Sequence, residues 1–205
     1  MAIPKSFLNC RFEAMTTNGI HDNEVFNNID SSEKKIFGIE FNNCGFKNCN
    51  FSNSDFLNVE FIDCQFENCN MTMVKLTNTG LKNVKFTGCK LIGTDFSACK
   101  DFMLAMGFNK CNLQYTFFFK KKMKNTQFVD CILKEANFTQ SDLTKSVFKN
   151  CDFANAIFNN TNLGNVDFST SYNFSIDPEI NNLKKAKFSC QSLSGLLDKY
   201  DLIIE

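Results

Sequence analysis

The sequence is poor in the side chains that catalytic sites use most often. Among its 205 residues it has one histidine, His21, two prolines and no tryptophan. With a single imidazole, a serine or cysteine nucleophile would lack its usual general base. No carboxylate pair stands out, and no phosphate-binding loop, nicotinamide fingerprint or metalloprotease helix is present. The sequence therefore indicates a protein that is not an enzyme and that carries no cofactor or metal.

Long apolar runs and net charge are also missing. No stretch approaches the roughly 18 apolar residues of a membrane span. Residues 1–20 lack the charged start and the apolar run of a secretory signal. The 22 Lys and Arg residues balance the 22 Asp and Glu residues, so the net charge does not call for nucleic acid. We expect a cytoplasmic protein that contacts neither a membrane nor nucleic acid directly.

The sequence is rich in phenylalanine, which recurs with a period of five. Every fifth residue is apolar from Phe41 to Phe96 and again, after an interruption, from Phe108 to Phe168. This period fits neither an α-helix, which needs 3.6, nor a strand, which needs 2. The residue two places before each centre is small or apolar, and the residue directly before it is often Asn or Asp. The repeating unit is therefore small, Asn or Asp, Phe or Leu, polar, polar.

This unit resembles that of the pentapeptide-repeat family over residues 39–170. The resemblance implies an all-β fold, a right-handed quadrilateral β-helix in which four pentapeptides make one coil and the central and small residues point inward. Residues twenty apart should then stack, and Phe46, Phe66 and Phe86 indeed share one type. Stacked coils are expected to lie about 4.8 Å apart, the spacing of hydrogen-bonded strands.

The pattern divides the chain into five segments. The stretch around His21 carries no period and is predicted to form a loop, and Pro178 is predicted to end the repeat structure. The predicted segments are irregular N-terminal coils with a loop (1–38), a first repeat run (39–98), an interruption (99–107), a second repeat run (108–171) and a C-terminal cap with a dimerisation segment (172–205).

The interruption shifts the phase of the repeat by two residues, which predicts a loop or bulge that leaves the coil. Loops on a rigid scaffold often carry function, although a harmless insertion would give the same pattern. The candidate loop contacts are Lys100, Asp101, Phe102, Met103 and Leu104.

The one dense charge run follows the interruption and comprises Lys120, Lys121, Lys122 and Lys124. It is either a solvated face or a contact for an anion or nucleic acid. Because Lys121 occupies an inward position, we expect the coil to be distorted there.

The C-terminal segment has apolar residues at helical spacing, which predicts a short α-helical cap over residues 189–200. A solenoid end exposes its core and an open strand edge and therefore needs a cap. By resemblance to gyrase-protecting pentapeptide proteins, the segment implies a homodimer. The alternative is a monomeric cap that folds its tail back. The candidate cap and dimer residues are Leu193, Leu196, Leu197, Tyr200, Leu202, Ile203 and Ile204.

Ten of the eleven cysteines, including Cys10 but not Cys190, occupy the small inward position. A buried cysteine behaves as a small apolar residue, so packing explains this placement. A zinc site would need shorter spacings than the four-residue gaps here. The cysteines that such a site would use are Cys44, Cys49, Cys64 and Cys69.

Two functions are compatible with these features. Resemblance to the quinolone-resistance pentapeptide proteins implies a DNA-mimicking partner of DNA gyrase, which would need an acidic surface. The alternative is a general protein-interaction scaffold without topoisomerase activity, and the fold cannot choose between them. The candidate acidic surface comprises Glu40, Asp55, Glu60, Asp63 and Glu67. Against mimicry, residues 75–90 carry Lys75, Lys82, Lys85 and Lys90 without an acid.

Overall fold

The computed structural model describes residues 19–203, which wind into a four-sided solenoid of parallel coils. Paired residues lie twenty apart, as in Phe41 with Phe61 and Phe46 with Phe66. Main-chain hydrogen bonds join successive coils on every side. The Asn50 N–H, for example, donates to the Ile29 carbonyl over 2.8 Å. Backbone pairing and core stacking therefore use the same twenty-residue repeat.

Side 1 of the solenoid carries a four-stranded sheet, and side 2 carries a seven-stranded sheet. Side 3, around the Asn50–Asn70 bridge, and side 4, around the Asp55–Lys75 bridge, are joined by single bridges. The strands are β1 Ile20–Asp22, β2 Val25–Asn27, β3 Glu40–Asn42, β4 Gly45–Lys47, β5 Glu60–Ile62, β6 Gln65–Glu67, β7 Gly80–Lys82, β8 Val84–Thr87, β9 Met106–Asn109, β10 Gln127–Val129 and β11 Val147–Lys149. The strand order is β1-β3-β5-β7 on side 1 and β11-β10-β9-β8-β6-β4-β2 on side 2. The 3₁₀ helices are Phe96–Ala98, Cys190–Leu196 and Asp198–Tyr200.

The core is organised around a column of phenylalanine rings on side 2, which runs from Phe26 to Phe188. Neighbouring rings are stacked with centroids 4.5 to 5.3 Å apart and planes within 17° of parallel. This distance is close to the coil spacing, so each ring packs on the next without disturbing the backbone ladder. The members of the column are Phe26, Phe46, Phe66, Phe86, Phe108, Phe128, Phe148, Phe168 and Phe188.

The chain turns most of its corners at the second residue after a centre, which adopts a left-handed backbone. Asn43, Asn48 and Asn53 have φ angles of 51°, 52° and 57°. Asparagine tolerates this region better than other residues with a side chain, and glycine adopts it without strain, as at Gly88 and Gly93. The corner conformation therefore explains why this repeat position is so often Asn.

Most of the Cys, Ser and Thr side chains at the small inward position also donate hydrogen bonds to carbonyl groups of the solenoid. The Cys49 Sγ lies 3.5 Å from the Phe26 carbonyl oxygen, and the Thr79 hydroxyl donates to the Phe56 carbonyl over 2.7 Å. Cys, Ser and Thr are interchangeable at this position because each is small and carries a donor.

The prediction of irregular structure over residues 1–38 is wrong for residues 19–38. They form a regular coil with strands β1 and β2 and with bridges from Asp30 to Asn50 and from Lys35 to Asp55. His21 is not in a loop. Its ring stacks on Phe41 at 5.0 Å and extends the core of side 1. The expectations for residues 1–18, including Cys10, lie outside the described residues.

The C-terminal cap is helical where the sequence predicts it, but its turns are 3₁₀ rather than α. Leu197 N–H donates to the carbonyl of Ser194, three residues earlier, over 2.8 Å. Gly195 lies in the middle of this segment, where it disfavours an α-helix. A β-carbon at Gly195 would lie 2.1 Å from the Phe174 carbonyl oxygen, so only glycine allows the cap to approach the last coil this closely.

Candidate functional site

The interruption inserts two residues into the fifth coil on side 1. Up to this point paired residues lie twenty apart, whereas Val84 of β8 pairs with Met106 of β9, twenty-two residues later. Lys100 N–H still donates to Thr79 in the regular pattern, and Ala105 N–H donates to Leu81. The additional residues therefore lie between Lys100 and Ala105. We call residues 101–104 the insertion loop.

The insertion loop places two large apolar side chains in solvent. Phe102 is 70% exposed and Met103 is 65% exposed, and Met103 has a left-handed backbone with a φ of 56°. Leu104 is partly buried and packs against the core. Of the predicted loop contacts, Asp101, Phe102 and Met103 are exposed, and Lys100 and Leu104 are half-buried.

Lys121 anchors the insertion loop from inside the solenoid. It fills an inward position on the next coil and is only 4% exposed. Its ammonium donates to the Cys99 carbonyl over 2.6 Å and to Asp101 Oδ1 over 2.7 Å. The coil is regular on both sides of Lys121, since Lys121 N–H bonds Phe118 and its carbonyl accepts from Asp142. The predicted distortion is absent because the ammonium is satisfied within the space that the insertion opens.

A second ion-pair cluster holds the same end of the loop, through the residue directly before Asp101. Glu60 accepts from Lys100 and lies 3.1 Å from Lys82. Partial burial opposes ionisation of Glu60, but the hydrogen bonds from Lys100 and Lys82 outweigh it and keep the pKa of this carboxyl below its ordinary value. The Lys82 ammonium also lies 5.6 Å from the centre of the Phe102 ring. Charged groups thus hold the start of the insertion loop, whereas its end is held by the packing of Leu104 and by the Ala105 N–H bond to Leu81.

The predicted acidic surface is distributed over three sides of the rod. Glu40 and Glu60 lie on side 1, Asp63 at the corner that follows side 1, Glu67 on side 2 and Asp55 on side 4.

Most of these acids already bond to polar or charged side chains of the solenoid. Glu40 accepts from Asn42 over 2.9 Å, and Asp63 accepts from Asn83 over 2.6 Å. Glu67 pairs with Lys47 at 3.0 Å. The structure does not assemble these carboxylates into one anionic face.

The C-terminal cap exposes most of the predicted dimer residues. Leu196 packs against the core, whereas Leu193, Leu197, Tyr200 and Leu202 are exposed and Ile203 is 92% exposed. Ile204 lies outside the described residues. The cap is held to the last coil by ion pairs of Lys199 with Asp177, at 2.8 Å, and with Glu179, at 2.6 Å.

The cysteines of the described residues are packing groups. Nine are buried and only Cys190 is exposed. Burial raises the pKa of the Cys99 thiol to about 12, and the neighbouring Cys111 thiol, followed by burial, raises that of Cys89 to about 12. These two thiols stay protonated at neutral pH and are poor nucleophiles and metal ligands, whereas the hydrogen bond with Cys64 lowers the pKa of Cys44 and that with Cys131 lowers the pKa of Cys151. Within residues 19–203, no three His, Cys, Asp or Glu side chains are arranged to hold a metal ion.

Over the same residues, no helix has the length and apolar character needed to cross a membrane.

Comparison with known proteins identifies the repeat. A sequence profile described as "Pentapeptide repeat region" matches residues 39–118, and one described as "Pentapeptide repeats (8 copies)" matches residues 131–169. Together they span more than half of the chain. No curated protein sequence matches it.

A search of solved structures also finds pentapeptide-repeat proteins. A trypsin-treated form of QnrB1, a plasmid-mediated fluoroquinolone resistance protein, is 20% identical with a TM-score of 0.62, and the match covers 93% of each chain. HetL, a pentapeptide repeat protein involved in heterocyst differentiation regulation in the cyanobacterium Nostoc sp. strain PCC 7120, is 12% identical, with a TM-score of 0.44 over 90% of this chain and 89% of HetL. The QnrB1 match confirms the predicted right-handed quadrilateral β-helix.

Proposed function

Because this chain belongs to the pentapeptide-repeat family, we propose that it is a non-catalytic binding protein that docks on another protein, and that this partner is DNA gyrase. The role of a binding protein is supported by the rigid solenoid and by the exposed apolar side chains of the insertion loop. Gyrase is proposed from the resemblance of the repeat to gyrase-protecting proteins and from the fold shared with a fluoroquinolone resistance protein.

The observation that carries the proposal is the insertion loop with its exposed Phe102 and Met103. Large apolar side chains placed in solvent on a rigid support are typical of residues that a partner buries. Lys121 and Glu60 hold the start of the loop through Asp101 and Lys100, and Leu104 packs against the core at its end, so the loop loses little conformational entropy when it binds. The loop is therefore the contact that we propose for gyrase.

We do not assign the contact to duplex mimicry. A mimic of DNA must present anions at the positions of the phosphates, whereas every side of this rod mixes charges. Glu40 and Lys82 lie on side 1, Glu67 and Lys47 on side 2, Asp30 and Lys90 on side 3, and Asp55 and Lys75 on side 4. This mixture is the observation that favours the second candidate, a scaffold that docks on a protein other than gyrase.

We expect the purified protein to protect gyrase supercoiling from a fluoroquinolone when it is titrated to micromolar concentration. The double substitution Phe102→Ala with Met103→Ala is expected to raise the protein concentration needed for protection by about tenfold, a loss of about 1.4 kcal/mol in binding. Supercoiling of relaxed plasmid, resolved on agarose gels, measures the effect.

The matched control is Phe37→Ala with Met73→Ala, which removes the same two side-chain types. Phe37 and Met73 are about half exposed, lie away from the loop, and Met73 has the same φ of 56° as Met103. If wild-type protein neither protects nor inhibits gyrase, the partner is another protein. If the control loses protection as strongly as the loop variant, the loop is not the contact.

The exposed end of the cap supports a homodimer joined through the C-terminus. Light scattering coupled to gel filtration is expected to give twice the chain mass of 23.4 kDa. Leu197→Glu with Ile203→Glu should shift the mass to that of one chain, because two carboxylates would be buried in the interface. Ile20→Glu, at the other end of the described rod, should leave the dimer intact. A wild-type mass of one chain would instead indicate the monomeric cap.

A further inference from the structure

Two glutamates at the same repeat position of side 1 make different contacts. Glu40 in β3 and Glu60 in β5 are paired residues of neighbouring strands. The Glu40 carboxylate accepts from the Asn42 side chain, in its own strand, over 2.9 Å. The Glu60 carboxylate instead accepts from Lys100, which lies two coils further along the rod. The residue type and the place in the repeat are the same, so the surroundings of Glu60 cause the difference.

Gly80 is the residue that gives Glu60 this reach. The ladder places Glu60 above Glu40 but places Gly80 above Glu60. A β-carbon at Gly80 would lie 2.6 Å from the Glu60 Cδ and 3.0 Å from its Oε1. The backbone of Gly80 is not left-handed, so the structure uses the missing side chain here and not the conformational freedom of glycine. The Glu60 side chain occupies the space that any other residue at position 80 would fill.

The Glu60 carboxylate holds two lysines once it has crossed Gly80. Its Oε1 accepts from Lys100, and its Oε2 lies 3.1 Å from the Lys82 ammonium. All three side chains are less than a third exposed, so water screens these ion pairs less than those on the open surface. Within residues 19–203, Glu60 is the only carboxylate within 4.0 Å of either ammonium. Both lysines therefore depend on Glu60 for their position.

These two lysines lead directly to the insertion loop. Lys100 is the residue before Asp101, where the loop starts. The Lys82 ammonium lies 5.6 Å from the centre of the Phe102 ring, within the range of a cation–π contact. Phe102 is 70% exposed, so few other contacts hold its ring. Glu60 thus fixes both the start of the loop and the cation against which its largest side chain lies.

We infer that Gly80 and Glu60 are positioning residues of the insertion loop. The absence of a side chain at position 80 lets Glu60 reach Lys82 and Lys100, and these two lysines set the direction of Phe102. Gly80 and Glu60 need not touch a partner, because both act through the lysines. The inference rests on the proposed function only for the use of Phe102 as a contact, and its tests use the isolated protein.

A tryptophan at position 102 reports on the loop, because the chain has no other tryptophan. The parent variant is Phe102→Trp, whose indole keeps an aromatic face for Lys82. Adding Gly80→Ala displaces the Glu60 carboxylate, and the amplitude of nanosecond motion in time-resolved fluorescence anisotropy is expected to rise about twofold. Glu60→Ala should give the same rise. The two changes together should give no more than either alone, since no carboxylate is left to displace.

Two matched controls separate this effect from a general change in the solenoid. Gly45 occupies the same repeat position in β4, and a β-carbon there would lie 3.7 Å from Val25, an ordinary contact. Glu40→Ala removes the carboxylate that bonds within its own strand. Gly45→Ala and Glu40→Ala should leave the anisotropy amplitude within about a fifth of the parent value. The urea midpoint of Gly80→Ala should stay within about 0.5 M of the parent, because only the end of a flexible side chain has to move.

Three results would overturn the inference. The first is an unchanged amplitude in Gly80→Ala, the second is an equal rise in Gly45→Ala, and the third is a double variant whose rise is the sum of the two. Gyrase protection then tests the proposed function separately. If the loop is the contact, Gly80→Ala in the wild-type background should raise the concentration needed for protection by about threefold. The expected anisotropy changes without protection by any variant would support the inference and contradict the gyrase partner.

Discussion

Replacing Phe118 with Ala is expected to lower the free energy of unfolding by about 4 kcal/mol. Phe118 is fully buried, and its ring stacks between Phe96 at 4.9 Å and Phe138 at 5.0 Å. It also meets Phe108 and Phe128 edge to face, each at 6.2 Å. Removing the ring leaves a cavity that the two rigid coils above and below cannot close. Urea unfolding followed by circular dichroism measures the loss.

The chain provides its own controls, because Phe117, Phe118 and Phe119 are consecutive. The outer two point into solvent and are 46% and 39% exposed. Substitution of either residue by Ala should lower the free energy of unfolding by about 1 kcal/mol or less. All three substitutions remove the same atoms from the same coil, so only the direction of the side chain differs. A larger loss at Phe117 or Phe119 than at Phe118 would show that the repeat phase after the insertion is misassigned.

The fold was predictable from the sequence because the period of five and the period of twenty agree. The centres that the pattern identifies in the two runs are the buried phenylalanines, leucines and methionines of the core. The corners were predictable in principle too, since Asn recurs at the second position after the centre. The pattern records that position only as polar. The reason for Asn is its tolerance of a left-handed backbone, as at Asn43 and Asn48.

A prediction based on apolar centres does not identify the first described coil. Its centres include His21 and Ser31, which are polar, yet His21 stacks on Phe41 and Ser31 is fully buried. These residues follow the solenoid because the next coil offers them a complete backbone ladder and an apolar surface. A neighbouring coil thus decides the conformation where local sequence does not.

The candidate site was predictable in position but not in detail. The phase shift places a loop near Phe102, whereas nothing in the sequence shows which side chain anchors it. The signal was the inward Lys121, twenty residues after Asp101, the stacking distance of the repeat. A charged residue at an inward position indicates a partner that stacks on it in a neighbouring coil. Here that partner is Asp101 of the insertion loop, in the preceding coil.

Removing Asp101, the partner of the buried Lys121 ammonium, is expected to cost more stability than removing the ammonium itself. Asp101→Ala leaves Lys121 buried with only the Cys99 carbonyl, and we expect a loss of about 2 kcal/mol. This is below the range for fully buried pairs, because Asp101 is 70% exposed. Lys121→Met leaves a carboxylate that water can solvate, so its loss should be under about 1 kcal/mol. The double variant Asp101→Ala with Lys121→Met should have a free energy of unfolding within about 1 kcal/mol of that of the wild type.

Urea unfolding of the three variants and of Glu67→Gln tests this asymmetry. Glu67 and Lys47 are both about half exposed, so breaking their pair should change stability by less than about 0.5 kcal/mol. Equal losses for Asp101→Ala and Lys121→Met would mean that the ammonium is not held as a buried charge. Trypsin cleavage after Lys100, measured by mass spectrometry, should accelerate in all three loop variants, including the stable Lys121→Met. If Lys121→Met keeps its stability but is cleaved faster after Lys100, then Lys121 holds the loop that presents Phe102 without contributing to the stability of the fold.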